Sequence, residues 1–187
     1  MLILLKDLAT THTATSLSNK LKMSRWGIWK ILKKLAEDEL IMLEPINAGK
    51  TSTNRIRLNW ENILVEKTLA LSLTQEAFKY KRWRSNFADL EKEVDFLILY
   101  GSILHSPKDA EDVDIVGVVS NEKKLNKIGD LVLKIQETQN KKIHFINFTH
   151  KEFKQEIKKG NKAFMDAVKK GAILFGQESF IKFIMKL

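Results

Sequence analysis

Apolar residues recur at helical spacing through the first third of the chain and then give way to strand-like runs. Residues 2–9 place Leu2, Leu5 and Leu8 on one helical face, and Thr15-Ser16 offers a cap for a second helix carrying Leu17 and Leu21. A short turn at Lys22-Met23 follows. Ser24 then caps a longer third helix whose inner stripe is Ile28, Ile31, Leu32 and Leu35, with Trp26, Lys30 and Lys33 on the opposite side. After Glu39 the period changes. A short apolar strand at residues 40–43, a polar stretch from 47 to 54 containing Gly49 and Lys50, and the alternating run Arg55-Ile56-Arg57-Leu58 predict a hairpin with a basic tip.

Residues 61–94 hold no glycine or proline and keep a helical rhythm through Ile63, Leu64, Leu69, Leu71, Leu73 and Phe78, which predicts one or two connecting helices. The cluster from Lys79 to Arg84 reads as a solvated helix face or as a further contact to an anion. Phe96-Leu97-Ile98-Leu99-Tyr100 is too apolar for an exposed strand and belongs at the centre of a sheet. A second strand at 113–119, a helix near 122–138, a third strand at 143–148 and more helix over 150–170 complete the pattern. The chain thus divides into residues 1–60, a connecting part at 61–94, and an α/β part at 95–187.

Composition adds direction. The 187 residues include no cysteine, which excludes disulfides and thiolate metal sites. The apolar start reaches Lys6 and Asp7 too soon for a signal sequence, and no later run approaches membrane-spanning length, so the chain reads as cytoplasmic. The formal charge is +9. Its distribution matters more than its size: six basic residues and no acid lie between Lys20 and Lys34, the local excess that a phosphate-contacting surface needs.

Up to about residue 60 the chain resembles the winged helix-turn-helix family of DNA-binding domains. The likeness rests on Ser16-Leu17-Ser18-Asn19-Lys20-Leu21, the turn, and Ser24-Arg25-Trp26-Gly27-Ile28-Trp29-Lys30. The resemblance implies that the third helix enters the major groove of double-stranded DNA with Arg25, Trp26, Lys30 and Lys33 facing it. Lys50, Arg55 and Arg57 on the wing would then add phosphate contacts. The sequence departs from the family at Glu39-Leu40, where a glycine is usual. A homodimer on paired half-sites, joined through the connecting helices, fits the same reading.

The richest chemistry lies in Gly101-Ser102, nine intervening residues, and Asp112-Val113-Asp114. Two carboxylates at i and i+2 on a strand project from one face and can share a cation such as Mg2+. A glycine-serine at the end of a buried strand lets backbone amides and a hydroxyl approach a phosphate. This arrangement, with the tail Lys170-Gly171-Ala172-Ile173-Leu174-Phe175-Gly176, resembles the polymerase-beta nucleotidyltransferase superfamily over roughly residues 90–180. The implied fold class is α+β in two domains, a winged helix followed by a polymerase-beta-like α/β domain with a mixed sheet. The resemblance also implies that Asp112 and Asp114 are catalytic metal ligands and that Gly101 and Ser102 bind the phosphates of a nucleoside triphosphate (NTP).

Active members carry a third carboxylate on a later strand. Here that position aligns with His144, which reads either as a ligand or as a hydrogen-bonded, partly buried ring, while Glu137 or Glu152 could supply an acid from a helix. The loop Leu104-His105-Ser106-Pro107 and Glu111 also depart from the family pattern. Three functions follow: a metal-dependent nucleotidyltransferase brought to DNA by its winged helix, a catalytically silent DNA-binding regulator that senses a nucleotide or mediates assembly, and an antitoxin-like partner protein.

Overall fold

A computed structural model describes residues 1–46 and 53–187. The chain separates into two compact units, Met1–Leu69 and Ala70–Leu187. Among the described residues no helix is long and apolar enough to cross a membrane.

The first unit runs α1 (Leu2–Lys6), α2 (Ala14–Leu21), α3 (Arg25–Glu37), β1 (Ile41–Pro45) and β2 (Asn54–Leu58). The cap of α2 is Thr13 rather than Thr15-Ser16. Its hydroxyl accepts from the Ser16 amide at 3.2 Å while the Ser16 hydroxyl accepts from the Thr13 amide at 2.8 Å, a reciprocal box that needs this three-residue spacing. Ser24 caps α3 as expected, accepting from the Gly27 amide at 3.0 Å. Of the expected inner stripe, Ile28 and Leu32 are buried, whereas Ile31 is exposed and Leu35 half-buried. One turn apart on one side, Ile28 and Leu32 share the core with Leu5, Leu17, Ile41, Ile56 and Leu58.

The departure at Glu39 has a backbone counterpart. Glu39 sits at φ +55, in the left-handed region where glycine is the unstrained choice. Its carbonyl is held by the side-chain amides of Asn59 at 2.9 Å and Asn62 at 3.2 Å. The chain therefore keeps the turn without the glycine. β1 and β2 pair antiparallel, Ile41 opposite Leu58 and Pro45 opposite Asn54, so Ile56 and Leu58 point inward while Arg55 and Arg57 point to solvent.

Helix α4 (Ile63–Phe78) runs across the boundary between the units. The second unit continues with α5 (Lys81–Asn86), a 3-10 turn at Ala88–Leu90, β3 (Phe96–Tyr100), a 3-10 turn at Ser102–Leu104, β4 (Asp112–Val119), α6 (Lys124–Glu137), β5 (Lys142–Thr149), α7 (His150–Lys158), α8 (Lys162–Lys170), β6 (Ala172–Phe175) and α9 (Gln177–Met185). The helical stretch expected over 150–170 is broken at Gly160 into α7 and α8. The glycine-bounded tail is the edge strand β6, and α9 follows it.

The sheet order is β5-β4-β3-β6, with β4 and β5 parallel and the other pairs antiparallel. It is a mixed sheet in an α+β unit. The parallel pair requires a crossover, which α6 supplies. Leu97, Leu99, Val113 and Ile115 face one side and pack with Trp83, Phe87, Leu90, Ile128, Val132 and Ile135. On the other side the Phe96 ring meets Phe153, Phe180 and Phe183 at centroid distances of 6.1, 5.5 and 5.4 Å. β3, covered on both faces, is apolar from Phe96 to Leu99 for that reason.

Candidate functional site

Three donors meet at the end of the sheet where β3 finishes and β4 and β5 begin. Alternation along β4 puts Asp112 and Asp114 on one face, and the parallel register sets His144 of β5 directly beside Asp114. His144 Nδ1 lies 3.1 Å from Asp112 Oδ2 and 3.5 Å from Asp114 Oδ1. The donor atoms of these three residues all fall within 4.8 Å of one another, and no other such group occurs among the described residues. Donors in adjacent positions around an ion with bonds of about 2.1 Å lie about 3 Å apart, close to the two distances from His144. The His144 ring is exposed and lies within hydrogen-bond distance of the Asp112 carboxylate.

Gly101 completes the arrangement. Its backbone, at φ +82 and ψ −162, turns out of β3 in a conformation reserved for glycine. A Cβ there would lie 2.2 Å from Asp114 Oδ2, so the absent side chain is the space that the carboxylate fills. Ser102 opens the next 3-10 turn with its side chain exposed, and the amides of His105 and Ser106 bond back to the Ser102 carbonyl at 3.0 and 2.9 Å. The loop that departs from the family pattern is thus wound into a compact turn anchored by buried Ile103.

Crowding has an electrostatic cost. Burial, and then the neighbouring Asp112 charge, hold the Asp114 carboxyl above the ordinary carboxylate range, with His144 pulling it partly back. Tyr100, opposite Asp114 in the β3–β4 register, belongs to the same neighbourhood: burial, then Asp114 and Asp112, raise its phenol. In the sequence Tyr100 only ends an apolar run, and its same-face relation to the acids follows from strand alternation once the pairing is known. Glu137 and Glu152 do not join the cluster. Glu152 instead closes a capping box on Thr149, at the far end of β5 from His144.

In the first unit, Arg25, Trp26, Lys30 and Lys33 all lie exposed along α3, and the Lys30 ammonium sits 4.5 Å from the centre of the Trp26 ring. Trp29 is exposed as well and, with Arg25, Trp26, Thr13 and Asn54, lines a groove of about 400 Å³. The basic run is smaller than its count suggests. Lys20 pairs with buried Asp7, and Lys34 pairs with Asp38 at 2.9 Å. Arg57 lies 3.5 Å from Glu44, while Arg55 is exposed on the same strand face. Lys50 lies outside the described residues.

In the cluster from Lys79 to Arg84, Lys79, Lys81 and Arg82 are exposed, as a solvated helix face requires, while Trp83 and Arg84 are structural. Trp83 is buried in the second unit's core, and Arg84 donates to the Leu174 carbonyl with its guanidinium over the Phe175 ring at 4.9 Å.

Residues 85–170 match the family described as Polymerase beta, Nucleotidyltransferase. That span includes Gly101, Ser102, Asp112, Asp114 and His144, which supports the nucleotidyltransferase reading of the second unit. No curated protein and no solved structure matches the chain.

Proposed function

We propose that the second unit binds a nucleoside triphosphate with a divalent cation and transfers a nucleoside monophosphate to an acceptor hydroxyl, releasing pyrophosphate. The convergence of Asp112, Asp114 and His144 beside Gly101-Ser102, within the matched span, carries this reading. A cation held by the three donors would supply charge stabilisation to the triphosphate oxygens. Ser102 donates its hydroxyl to a phosphate oxygen, and Gly101 lets the chain pass close enough for that contact. Tyr100 flanks Asp114 across the β3–β4 register.

The nitrogen donor alters the metal preference. Carboxylates alone suit Mg2+, whereas imidazole favours softer ions, so the mixed set is expected to bind Mn2+ more tightly than Mg2+. His144→Asp should narrow that preference, raising Mg2+ affinity relative to Mn2+ by about tenfold. Competitive titration of Mn2+ by Mg2+, followed by electron paramagnetic resonance, measures it. An unchanged ratio would remove His144 from the coordination set. Loss of nucleotide turnover in the wild type with either metal, despite tight metal-nucleotide binding, would favour the silent, nucleotide-sensing alternative.

For the first unit we infer a winged helix that binds double-stranded DNA through α3, with Arg55 and Arg57 of the hairpin on the phosphates. Three helices, an antiparallel hairpin and an exposed Arg25, Trp26, Lys30 and Lys33 face support it. Lys30→Ala with Lys33→Ala is expected to weaken DNA binding and to lower the salt slope by about 2, since each lost phosphate contact removes about 0.9 from it. Fluorescence anisotropy at several salt concentrations checks this, and an unaltered slope would clear α3 of any role.

A further inference from the structure

We propose that the second unit carries another anion site, at the opposite end of the sheet from the Asp112–Asp114–His144 cluster, suited to a nucleoside polyphosphate. A cavity of about 490 Å³ opens where β4 and β5 end, between α7 and α9. Its size falls within the range of about 300–1,000 Å³ typical of small-molecule sites. It also lies beyond the carboxyl ends of the two parallel strands, where open α/β sheets characteristically bind ligands.

The charge around this cavity is lopsided. Lys151 and Lys154 of α7 and Lys182 and Lys186 at the end of α9 all line it, against one lining carboxylate, Asp95. Asp95 is already engaged, with Oδ2 at 2.8 Å from His150 Nε2. Lys154 donates to the Lys186 carbonyl, and the positive field of the lysines gathered around one concavity suits a multiply charged anion. The N-terminus of α7 opens at the same wall, adding the positive end of its dipole. The Glu152 carboxylate, held on Thr149 in the capping box, offsets part of that dipole, so the lysines supply most of the positive field.

The interior differs from the rim. His150 and Phe183 pack edge to face at 5.6 Å and give the cavity an aromatic wall. Lysine stems extend that apolar surface while their charged heads reach the opening. A ligand with a flat apolar part and several phosphates satisfies both halves, which is the chemistry of a nucleoside polyphosphate. This site does not depend on the transfer reading of the other end of the sheet.

Calorimetric titration of the full chain with ATP and with inorganic tripolyphosphate, in EDTA so that no divalent ion is present, tests the proposal. Saturable one-to-one binding is expected with both, tighter for ATP. Lys151→Ala with Lys182→Ala should weaken it by about tenfold or more. Lys151→Arg with Lys182→Arg should restore it, which separates lost charge from lost folding. Asp112→Asn with Asp114→Asn, and separately Lys30→Ala with Lys33→Ala, should leave it unchanged. The proposal is overturned if binding is absent, if the lysine-to-alanine pair binds like wild type, or if either control pair abolishes binding. An affinity for single-stranded oligonucleotides that climbs with each added nucleotide would also overturn it, by marking an extended nucleic-acid track instead of a closed pocket.

Discussion

Asp114→Asn is expected to raise the melting temperature of the metal-free protein at neutral pH and, at the same time, to abolish the stabilisation that Mn2+ or Mg2+ gives the wild type. Both effects come from one carboxylate. Burial and the Asp112 charge raise the Asp114 carboxyl above its ordinary range in the folded chain, so there it keeps its proton to higher pH than when unfolded. Between those two ionisations the folded state holds more protons, and stability falls as pH rises through that window. Above the window the penalty stays in full. Asparagine has no proton to lose, so the variant should show a flatter stability profile across it.

The cation works in the opposite sense. At a metal concentration 100 times its Kd, an ion that binds only the folded state adds about 2.7 kcal/mol. Without the Asp114 oxygen, the remaining Asp112 and His144 donors hold an ion far more weakly, and the melting point should stop responding to metal. Differential scanning calorimetry over pH, with and without metal, reads both outcomes. A variant that melts lower than wild type in EDTA would show that Asp114 is a structural acid and not a metal ligand.

What the sequence disclosed and what it hid divide along the range of the interactions. Ser24 as a cap, the central strand from Phe96 to Tyr100, and the same-face pair Asp112 and Asp114 depend on neighbours within one turn or one strand, and all are legible from local pattern. His144 could be aligned with the missing acid, yet its contact with both aspartates is set by the β4–β5 register, which no local pattern contains. Tyr100 was hidden for the same reason. The basic runs overstate the open charge because charge counts do not show partners. Lys20 and Lys34 are engaged by Asp7 and Asp38, and Arg84 serves the Leu174 carbonyl from ninety residues away. Glu39 shows the converse case, a turn kept at φ +55 by two asparagine side chains although the expected glycine is gone.

Gly101→Ala should damage the site and the fold together, and comparison with Gly160→Ala shows why. Both glycines have positive φ, +82 and +70, but a Cβ at Gly160 meets nothing within 4 Å, whereas at Gly101 it meets the Asp114 carboxylate at 2.2 Å. Gly160→Ala therefore suffers only the left-handed backbone strain, about 1 kcal/mol. Gly101→Ala combines a conformation costing about 1–3 kcal/mol for any residue with a Cβ with the eviction of Asp114 from its place beside Asp112 and His144. That carboxylate can turn away only by leaving the coordination set. The expected result is a loss of about 2–4 kcal/mol in denaturant unfolding together with metal affinity reduced by about 100-fold, since one of three donors is displaced. Gly160→Ala should bind metal like wild type. If Gly101→Ala keeps full metal affinity, Asp114 binds from a different rotamer and the close packing against Gly101 is incidental to the site. If the two variants lose equal stability, the clash is absorbed at no cost and backbone strain alone accounts for the glycine.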